Sequence, residues 1–213
     1  KRKGQLMNQI IFGNYKSYDD LFLVCNSKSI GSPAPKMNTI SIEGGDGVLD
    51  FTEFFGDVKY NNRTLTFEFT SMVHPSDFLE LNSRLLDLLN GQKMPIVLEE
   101  DADFYYMGRL TVSSPTKEAK VIDKITITAN CEPYKYKVND TVVTQAVNGT
   151  ATIILPNMRK RVVPQITSDA QFNITFGGKT ASSSAGTFII PELELVAGDN
   201  EVVGSGTGNI TFT

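Results

Sequence analysis

Acidic residues that could bind a cation or transfer protons are concentrated in one short turn. Glu99, Glu100, Asp101 and Asp103 lie within five residues of one another. Neighbouring carboxylates can bind Ca²⁺ or act as general acid and base. The spacing is not that of an EF-hand loop, however, and the sequence shows no partner base. The prediction for this segment is therefore a solvated turn.

Other reactive residue types are scarce. His74 is the only histidine, and Cys25 and Cys131 are the only cysteines, far apart in sequence. An ordinary His/Cys metal site therefore lacks ligands, and two thiols do not make a disulfide framework, which favours a cytosolic folding compartment. His74 directly precedes Pro75 at a predicted helix start, which indicates a capping role. No nucleophile-elbow, Walker or dinucleotide-binding motif occurs. We predict no enzyme activity, no metal and no cofactor.

The chain also lacks the features of a nucleic-acid-binding protein. Its net charge is −4, and the segments before and after Val138 carry 16 basic and 18 acidic, and 4 basic and 6 acidic residues. The short basic cluster Arg159-Lys160-Arg161 is interpreted as a solvated strand edge. The Gly-rich segment Gly204–Gly208 precedes a β-run and not a helix N-terminus, so it does not predict a phosphate site. Tight binding to duplex DNA is not expected, and micromolar affinity near physiological salt would contradict this.

Length and composition predict two domains. The chain has 213 residues, of which 40% are hydrophobic. The composition changes near residues 134–139, after which Gly, Thr, Val and Ile dominate and no helical period occurs. We therefore predict a first domain over residues 1–138 and a second over 139–213. No apolar run is long enough to span a membrane, and the basic start Lys1-Arg2-Lys3 lacks the apolar segment of a signal peptide.

The first domain is predicted to be α+β, with one helix packed on a sheet. The helix is expected from Pro75 to Asn90, with Gly91 as its stop signal. Its apolar stripe consists of Phe78, Leu81, Leu85 and Leu88, widened by Leu79, Leu86 and Leu89. The predicted strands around it are Ile10–Phe12, Leu21–Val24, Pro95–Leu98, Phe104–Val112 and Lys120–Cys131.

The second domain is predicted to be a β-sandwich, so that the whole chain is mainly β. Short strands at regular spacing with Gly-rich turns are typical of this fold. Asn148-Gly149 predicts a tight hairpin turn, and Ala181–Gly186 a mobile loop tip. The predicted strands are Thr141–Ala146, Ala151–Leu155, Arg161–Thr167, Gln171–Phe176, Thr187–Ile190, Leu193–Val196, Asn200–Val203 and Asn209–Phe212.

The stretch from Asn38 to Thr70 organises the first domain. Ile40 and Ile42 alternate with polar residues, which predicts a half-buried strand, and the dense turn signal G-G-D-G follows. A second alternating strand contains Leu65, Phe67 and Phe69. Between the two strands lies a long connection rich in aromatic residues.

Two interpretations of this connection remain open on pattern alone. It is either an arm that reaches for a neighbouring molecule or a hairpin folded onto its own core. In the first case the aromatic side chains need a partner that covers them. The candidate interface residues of the arm are Phe51, Phe54, Phe55, Val58 and Tyr60.

Three segments of the sequence resemble the distal tail proteins (Dit) of long-tailed bacteriophages. The first is N-Y-K-S-Y-D-D-L-F-L-V at Asn14–Val24. The second runs from G-G-D-G-V-L-D-F, which begins at Gly44, to Y-N-N-R-T-L-T-F-E-F, which ends at Phe69. The third is G-D-N-E-V-V-G-S-G-T-G-N-I-T-F at Gly198–Phe212. The likeness covers most of the first domain and the edge of the second.

The resemblance implies a structural protein of the virion. Members of the family form a ring, six-fold here by resemblance, at the distal end of the tail tube. A domain of sheet, helix and arm makes the ring, and a galectin-like sandwich projects outward. The implied partners are other copies of the chain, the major tail tube protein, the tail-tip fibre (tail-associated) protein and the receptor-binding protein. The implied location is the distal end of the tail, after assembly in the bacterial host cytoplasm.

A second hypothesis is a free carbohydrate-binding module that acts in host adsorption. The hub hypothesis predicts a closed oligomer, whereas the module predicts a monomer with sugar affinity. Sugar sites commonly stack a pyranose on an exposed aromatic ring, yet the sandwich has no Trp, Tyr or His. Its aromatic residues, which we expect in the core, are Phe172, Phe176, Phe188 and Phe212. We therefore expect a docking role for the sandwich.

Overall fold

The computed structural model of the chain describes residues 8–54, 56–114, 116–118, 122–158 and 160–213. The chain divides into two compact units, Lys1–Val138 and Asn139–Thr213. The described residues of both units consist mainly of β-strands, and they contain one α-helix. The prediction of a mainly-β fold is confirmed.

Eight strands of the first unit form one sheet among the described residues. The order of neighbouring strands is β2-β1-β7-β8-β10-β6-β3, and β9 pairs with β10. A separate two-stranded ribbon consists of β4 and β5. The elements are β1 (Ile10–Phe12), β2 (Tyr15–Lys16), β3 (Leu23–Ile30), β4 (Thr39–Ser41), β5 (Val48–Asp50), β6 (Arg63–Ser71), α1 (Phe78–Leu89), β7 (Lys93–Leu98), β8 (Phe104–Val112), β9 (Thr116–Glu118) and β10 (Ile122–Lys137).

The sheet of the first unit is curled so that its two edges meet. Strands β2 and β3 lie at opposite edges, yet only residues 17–22 connect them. Seven strands side by side would separate these edges by about 29 Å if the sheet were flat. Instead, the Leu23 backbone N–H donates a hydrogen bond to the Ser17 carbonyl at 2.7 Å. Ser17 is fully buried, and its hydroxyl accepts a hydrogen bond from the Ile10 N–H at 3.1 Å.

Helix α1 closes the core on the inner face of this sheet. The helix buries Phe78, Leu81, Leu85 and Leu89. Strand β6 contributes alternate residues to the same core, as the period of two predicted. Each large apolar side chain that is fully buried in this way contributes about 1.5–3 kcal/mol. The β6 side chains in the core are those of Leu65, Phe67 and Phe69.

The predicted helix differs from the observed one at its start and in its stripe. It begins at Phe78 because Pro75 lies in a preceding turn, in which the Asp77 N–H donates to the His74 carbonyl at 2.9 Å. The predicted capping role of His74 is wrong, because the N-cap residue is Asp77. The imidazole Nδ1 of His74 instead lies 2.9 Å from the Ser76 hydroxyl within the preceding turn. Two leucines predicted to widen the core stripe, Leu79 and Leu86, are exposed to solvent.

Three strands of the first unit are longer than predicted, and β7 begins at Lys93 and not at Pro95. Strand β3 begins at Leu23 and not at Leu21, and it continues to Ile30 because β6 pairs with it over that length. Strand β10 continues beyond Cys131 to Lys137, since it pairs with β8 again after an irregularity in register.

The second unit is organised around its last strand. One edge of β16 pairs with β11 over 15 residue pairs, and its other edge pairs with β13 and β12 in turn. Strand β14 pairs with β13, and β15 with β12, so all six strands belong to one hydrogen-bonded sheet around one core. Its likeness to galectins remains a prediction. The strands are β11 (Val143–Asn157), β12 (Gln165–Ser168), β13 (Phe172–Phe176), β14 (Lys179–Ser183), β15 (Gly186–Ile189) and β16 (Gly198–Phe212).

The hairpin turn predicted at Asn148-Gly149 is wrong. These residues lie in the middle of β11, where Asn148 pairs with Thr207 and Gly149 with Gly206. The predicted strands on either side of Asn148-Gly149 are therefore one strand. The Gly-rich segment 204–208 likewise lies inside β16, where glycines allow neighbouring chain segments to approach closely.

Other predicted elements of the second unit are also corrected. The expected loop at residues 181–186 contains the end of β14, which pairs with β13 across a turn at Gly177 and Gly178. The expected strand at 193–196 is reduced to a single bridge between Leu195 and Val162. The basic cluster includes Arg159, which lies outside the described residues, whereas Arg161 lies 3.4 Å from Glu194.

Candidate assembly surface

The segment of residues 31–62 leaves the sheet after β3 and returns at β6; we call it the arm. At its base the Gly31 N–H donates to the Thr64 carbonyl at 2.9 Å. Further out, the two chain segments of the arm pair again through backbone hydrogen bonds. These bonds run from Lys36 N–H to Lys59 O at 2.7 Å and from Asn61 N–H to Ala34 O at 2.8 Å.

The outer part of the arm is a short antiparallel ribbon. Strands β4 and β5 pair Thr39 with Asp50, Ile40 with Leu49 and Ser41 with Val48. The predicted turn G-G-D-G joins them, and two of its glycines adopt φ values of 78° and 76°, which L side chains rarely adopt. The turn prediction is therefore confirmed. Strand β4 lies at the predicted strand, and β5 lies in the segment predicted as a connection.

One face of this ribbon is apolar and uncovered. Ile40 and Leu49 lie opposite each other, and Ile42 follows on the same face because side chains alternate along a strand. Their exposed fractions are 55%, 47% and 53%. Every residue from 34 to 50 is exposed, so the ribbon does not pack on the core of its own chain. The prediction of a half-buried strand here is wrong, and the ribbon is not folded onto the core of its own chain. That the arm reaches for a neighbouring molecule remains a prediction.

The predicted interface aromatics lie between the ribbon and the base of the arm. The rings of Phe51 and Phe54 meet edge to face with centroids 6.1 Å apart, and Phe54 is 71% exposed. Phe55 lies outside the described residues. Val58 is half-buried. The ring of Tyr60 meets that of Tyr134 on β10, 6.1 Å away, so the structure places Tyr60 at the base, against its own sheet.

The arm is also strongly acidic, which the sequence argument overlooked. The 20 residues from 38 to 57 contain five acidic residues and no basic one. A count over this segment alone would have found the asymmetry, which the net charge of the domain conceals. Asp50 accepts a hydrogen bond from the Thr52 N–H at 2.8 Å, and its bonds to Thr52 lower the pKa of this carboxyl. The acidic residues are Glu43, Asp46, Asp50, Glu53 and Asp57.

The remaining candidates for chemistry do not form a site in the part of the chain that the structure describes. No group of three potential metal ligands occurs there. In the acidic turn, Glu100 pairs with Lys28, and Asp101 pairs with Lys135 at 2.7 Å. Burial raises the pKa of both thiols, that of Cys131 to about 11. The described residues include no helix long and apolar enough to cross a membrane.

Comparison with known proteins identifies the fold. No protein-family model and no curated protein sequence matches the chain. Its structure is similar to the crystal structure of the SPP1 Dit (gp 19.1) protein, with a TM-score of 0.69 and 16% sequence identity. The similarity covers 96% of this chain and 97% of that one. The fold is Dit-like. SPP1 Dit is described as a paradigm of the hub adsorption apparatus in phages that infect Gram-positive bacteria. The resemblance found in three sequence segments thus extends over both units of the Dit-like fold.

Proposed function

We propose that this protein is a structural subunit of a phage tail-tip hub. The observation that carries the proposal is the near-complete match of both chains, since an isolated sandwich module would match only part of SPP1 Dit. In this role the protein belongs to the distal end of the virion tail.

The arm supports self-association into a closed ring. A heterologous interface, in which different surfaces of two copies meet, closes into a ring when its rotation divides a full turn. The apolar face of the arm is exposed in the single chain, and such surfaces mark interaction sites. By the resemblance, we propose a ring of six copies that joins the tail tube to the tail-tip fibre and receptor-binding proteins.

The experiment is the mass of the purified protein over a range of concentrations, with localisation by labelled antibody on tail particles. We expect a species of six copies and labelling at the tail tip. Replacing Ile40 and Leu49 by Asp should abolish the hexamer because both side chains lie on the uncovered face. Val48→Asp, on the opposite face of the same ribbon, is the matched control and should retain it.

A strict monomer at high concentration, together with absence of the protein from tail particles, would contradict the hub proposal. Sugar affinity of that monomer would then support the adsorption module.

A further inference from the structure

The outer face of the first sheet carries a row of apolar side chains opposite the core. Ile11, Val97, Tyr105 and Tyr136 are successive Cα partners across β1, β7, β8 and β10. The neighbours of Ile11 and Val97 along their strands are buried, as is Tyr106 beside Tyr105, so these three side chains point outward. Tyr136 lies on the same face because it is the Cα partner of Tyr105 and its ring stacks on that of Tyr105. All four remain half-buried. We call them the outer row.

Tyr136 of the outer row is held in place by a hydrogen bond at its rim, and Tyr105 stacks on it. Their rings stack with centroids 5.5 Å apart and an interplanar angle of 26°. The Tyr136 hydroxyl donates to Glu132 Oε2 at 2.6 Å, and this bond raises the pKa of Tyr136 to about 12. Lys93 Nζ donates to the other oxygen of Glu132 at 2.6 Å. The rings therefore present a fixed apolar surface.

Two positively charged residues on β7 and β8, Lys93 and Arg109, lie four residues along their strands from Val97 and Tyr105. Arg109 is the Cα partner of Lys93 and lies on the same outer face, where it is exposed. Its guanidinium donates to the Gly91 carbonyl at 2.6 Å, which holds it at the sheet surface. Glu132 is paired with Lys93, and Arg109 adds a positive charge about 13 Å along β8 from Tyr105. At the other end of the row, Lys16 pairs with Asp19 at 3.6 Å.

The other part of the outer sheet face, on β6 and the neighbouring parts of β10 and β8, carries threonines. Thr66, Thr128 and Thr111 are successive Cα partners across β6, β10 and β8. Threonines present hydroxyl groups that water satisfies. These threonines make this half of the face largely polar, although Val24, the Cα partner of Thr70, is an exposed apolar side chain on it.

We propose that the arm of one copy lies on the outer row of a second copy, with Ile40, Ile42 and Leu49 against the row. The proposal rests on the ring proposed above, because a heterologous ring needs two different surfaces on each copy. The charges are opposite, since residues 38–57 of the arm contain five acidic residues and no basic one, and Arg109 places a positive charge on the same sheet face as the row. The sizes of the two surfaces also agree: four strands span about 14 Å, and residues 39–42 about 10 Å.

The first test is site-specific crosslinking in the full chain. A chain with Leu49→Cys and Val97→Cys should form covalent multimers of up to six copies with a short bis-maleimide. The control carries Leu49→Cys with Thr66→Cys on the polar half of the same face, and should crosslink at least about tenfold less. The unsubstituted chain reports reaction at Cys25 and Cys131, which should be slow because both are buried with raised pKa values.

The second test reverses charges. Arg109→Glu should weaken assembly at least about tenfold, because like charges would then face each other across the interface. Lys124→Glu makes the same charge change on the outer face of β10 and should leave assembly within about threefold. Adding Glu43→Lys, Asp46→Lys and Glu53→Lys to Arg109→Glu should restore most of the lost affinity.

The outcomes separate this inference from the function on which it rests. If a six-copy ring forms but the Leu49–Val97 pair does not crosslink above its control, the docking surface is wrong and the ring stands. Equal loss of assembly with Arg109→Glu and Lys124→Glu also overturns the docking surface. If no assembly occurs in solution or in tail particles, both proposals fail.

Discussion

The β4–β5 ribbon of the arm and the β11–β16 pair are both antiparallel. The first leaves its apolar side chains exposed, whereas the second places them in a core. Both contain alternating apolar residues and a Gly-rich segment in sequence. In the arm, G-G-D-G makes the turn of a three-pair ribbon whose apolar face is uncovered. In the second unit, the equally strong turn signal Asn148-Gly149 lies inside a strand of 15 residues. The two ribbons differ in whether other parts of the chain cover their apolar side chains.

The β11–β16 pair is extended because extended strands allow side chains of both strands to enter the core of the second unit. Val147, Ile153 and Leu155 on β11 enter the core together with Val202 and Ile210 on β16. A turn at Asn148 would break the contacts among these buried side chains. A local turn preference of the order of 1 kcal/mol does not outweigh the burial of several large side chains. The arm has no such core, and there the local signal decides the structure.

The largest expected loss of stability follows substitution of Gly206, where β16 pairs with β13. A Cβ at Gly206 would lie 2.7 Å from both the Gln171 carbonyl oxygen and the Phe172 ring. Gly206→Val should therefore destabilise the second unit by about 3 kcal/mol, because neither a backbone atom nor a packed ring can move away cheaply. Calorimetric unfolding of the full chain measures this. Gly204→Ala is the control, because its Cβ would meet only side-chain atoms at ordinary contact distance, of Ile153 at 3.5 Å and Val147 at 4.0 Å. Equal effects at the two glycines would show that close packing is not what this segment provides.

Sequence reasoning located the elements whose local pattern and packing agree. The periodicity of Leu65, Phe67 and Phe69 predicts β6 correctly because the same alternation serves the strand and the core. Strand β8 was predicted with its observed bounds, Phe104–Val112, for the same reason. Strands β6 and β8 could therefore be predicted without knowing which distant strands pair with them.

The errors occur where a distant partner decides the outcome. Gly204–Gly208 looks like a loop until β11 and β13 are placed beside β16. Ile40 and Ile42 have the pattern of a half-buried strand, although nothing in their own chain covers them. The outer row was not predicted at all, because its four residues lie on four strands and only the register of the sheet brings them together.

Replacing one glycine in each ribbon by alanine should have a smaller effect on stability. Gly149 and Gly47 adopt φ values of 92° and 76°, and a Cβ would meet no atom within 4 Å at either position. Alanine should cost about 1 kcal/mol of backbone strain at each. At Gly149 the cost should appear in the unfolding free energy of the second unit. At Gly47 it should appear only in faster amide exchange within the arm, because the ribbon does not pack on the core. A matching loss of global stability from Gly47→Ala would show that the arm is part of the cooperative first unit.

The smallest expected effect is that of sugar on the second unit. Its aromatic side chains are all occupied: Phe172 and Phe212 are buried, while Phe176 and Phe188 are half-buried against the same core. No ring is left as a platform for a pyranose, and the hydroxyls of strand residues such as Thr144 and Thr211 lie 3.0 Å from each other. We expect titration calorimetry with host cell-wall polysaccharide to show no saturable heat, for the full chain and for a chain with Phe188→Leu alike. A dissociation constant below about 1 mM, which corresponds to roughly −4 kcal/mol, would contradict the docking role. If Phe188→Leu also removed that affinity, the half-buried ring would be the sugar platform, and the second unit would be an adsorption module carried on a Dit-like fold.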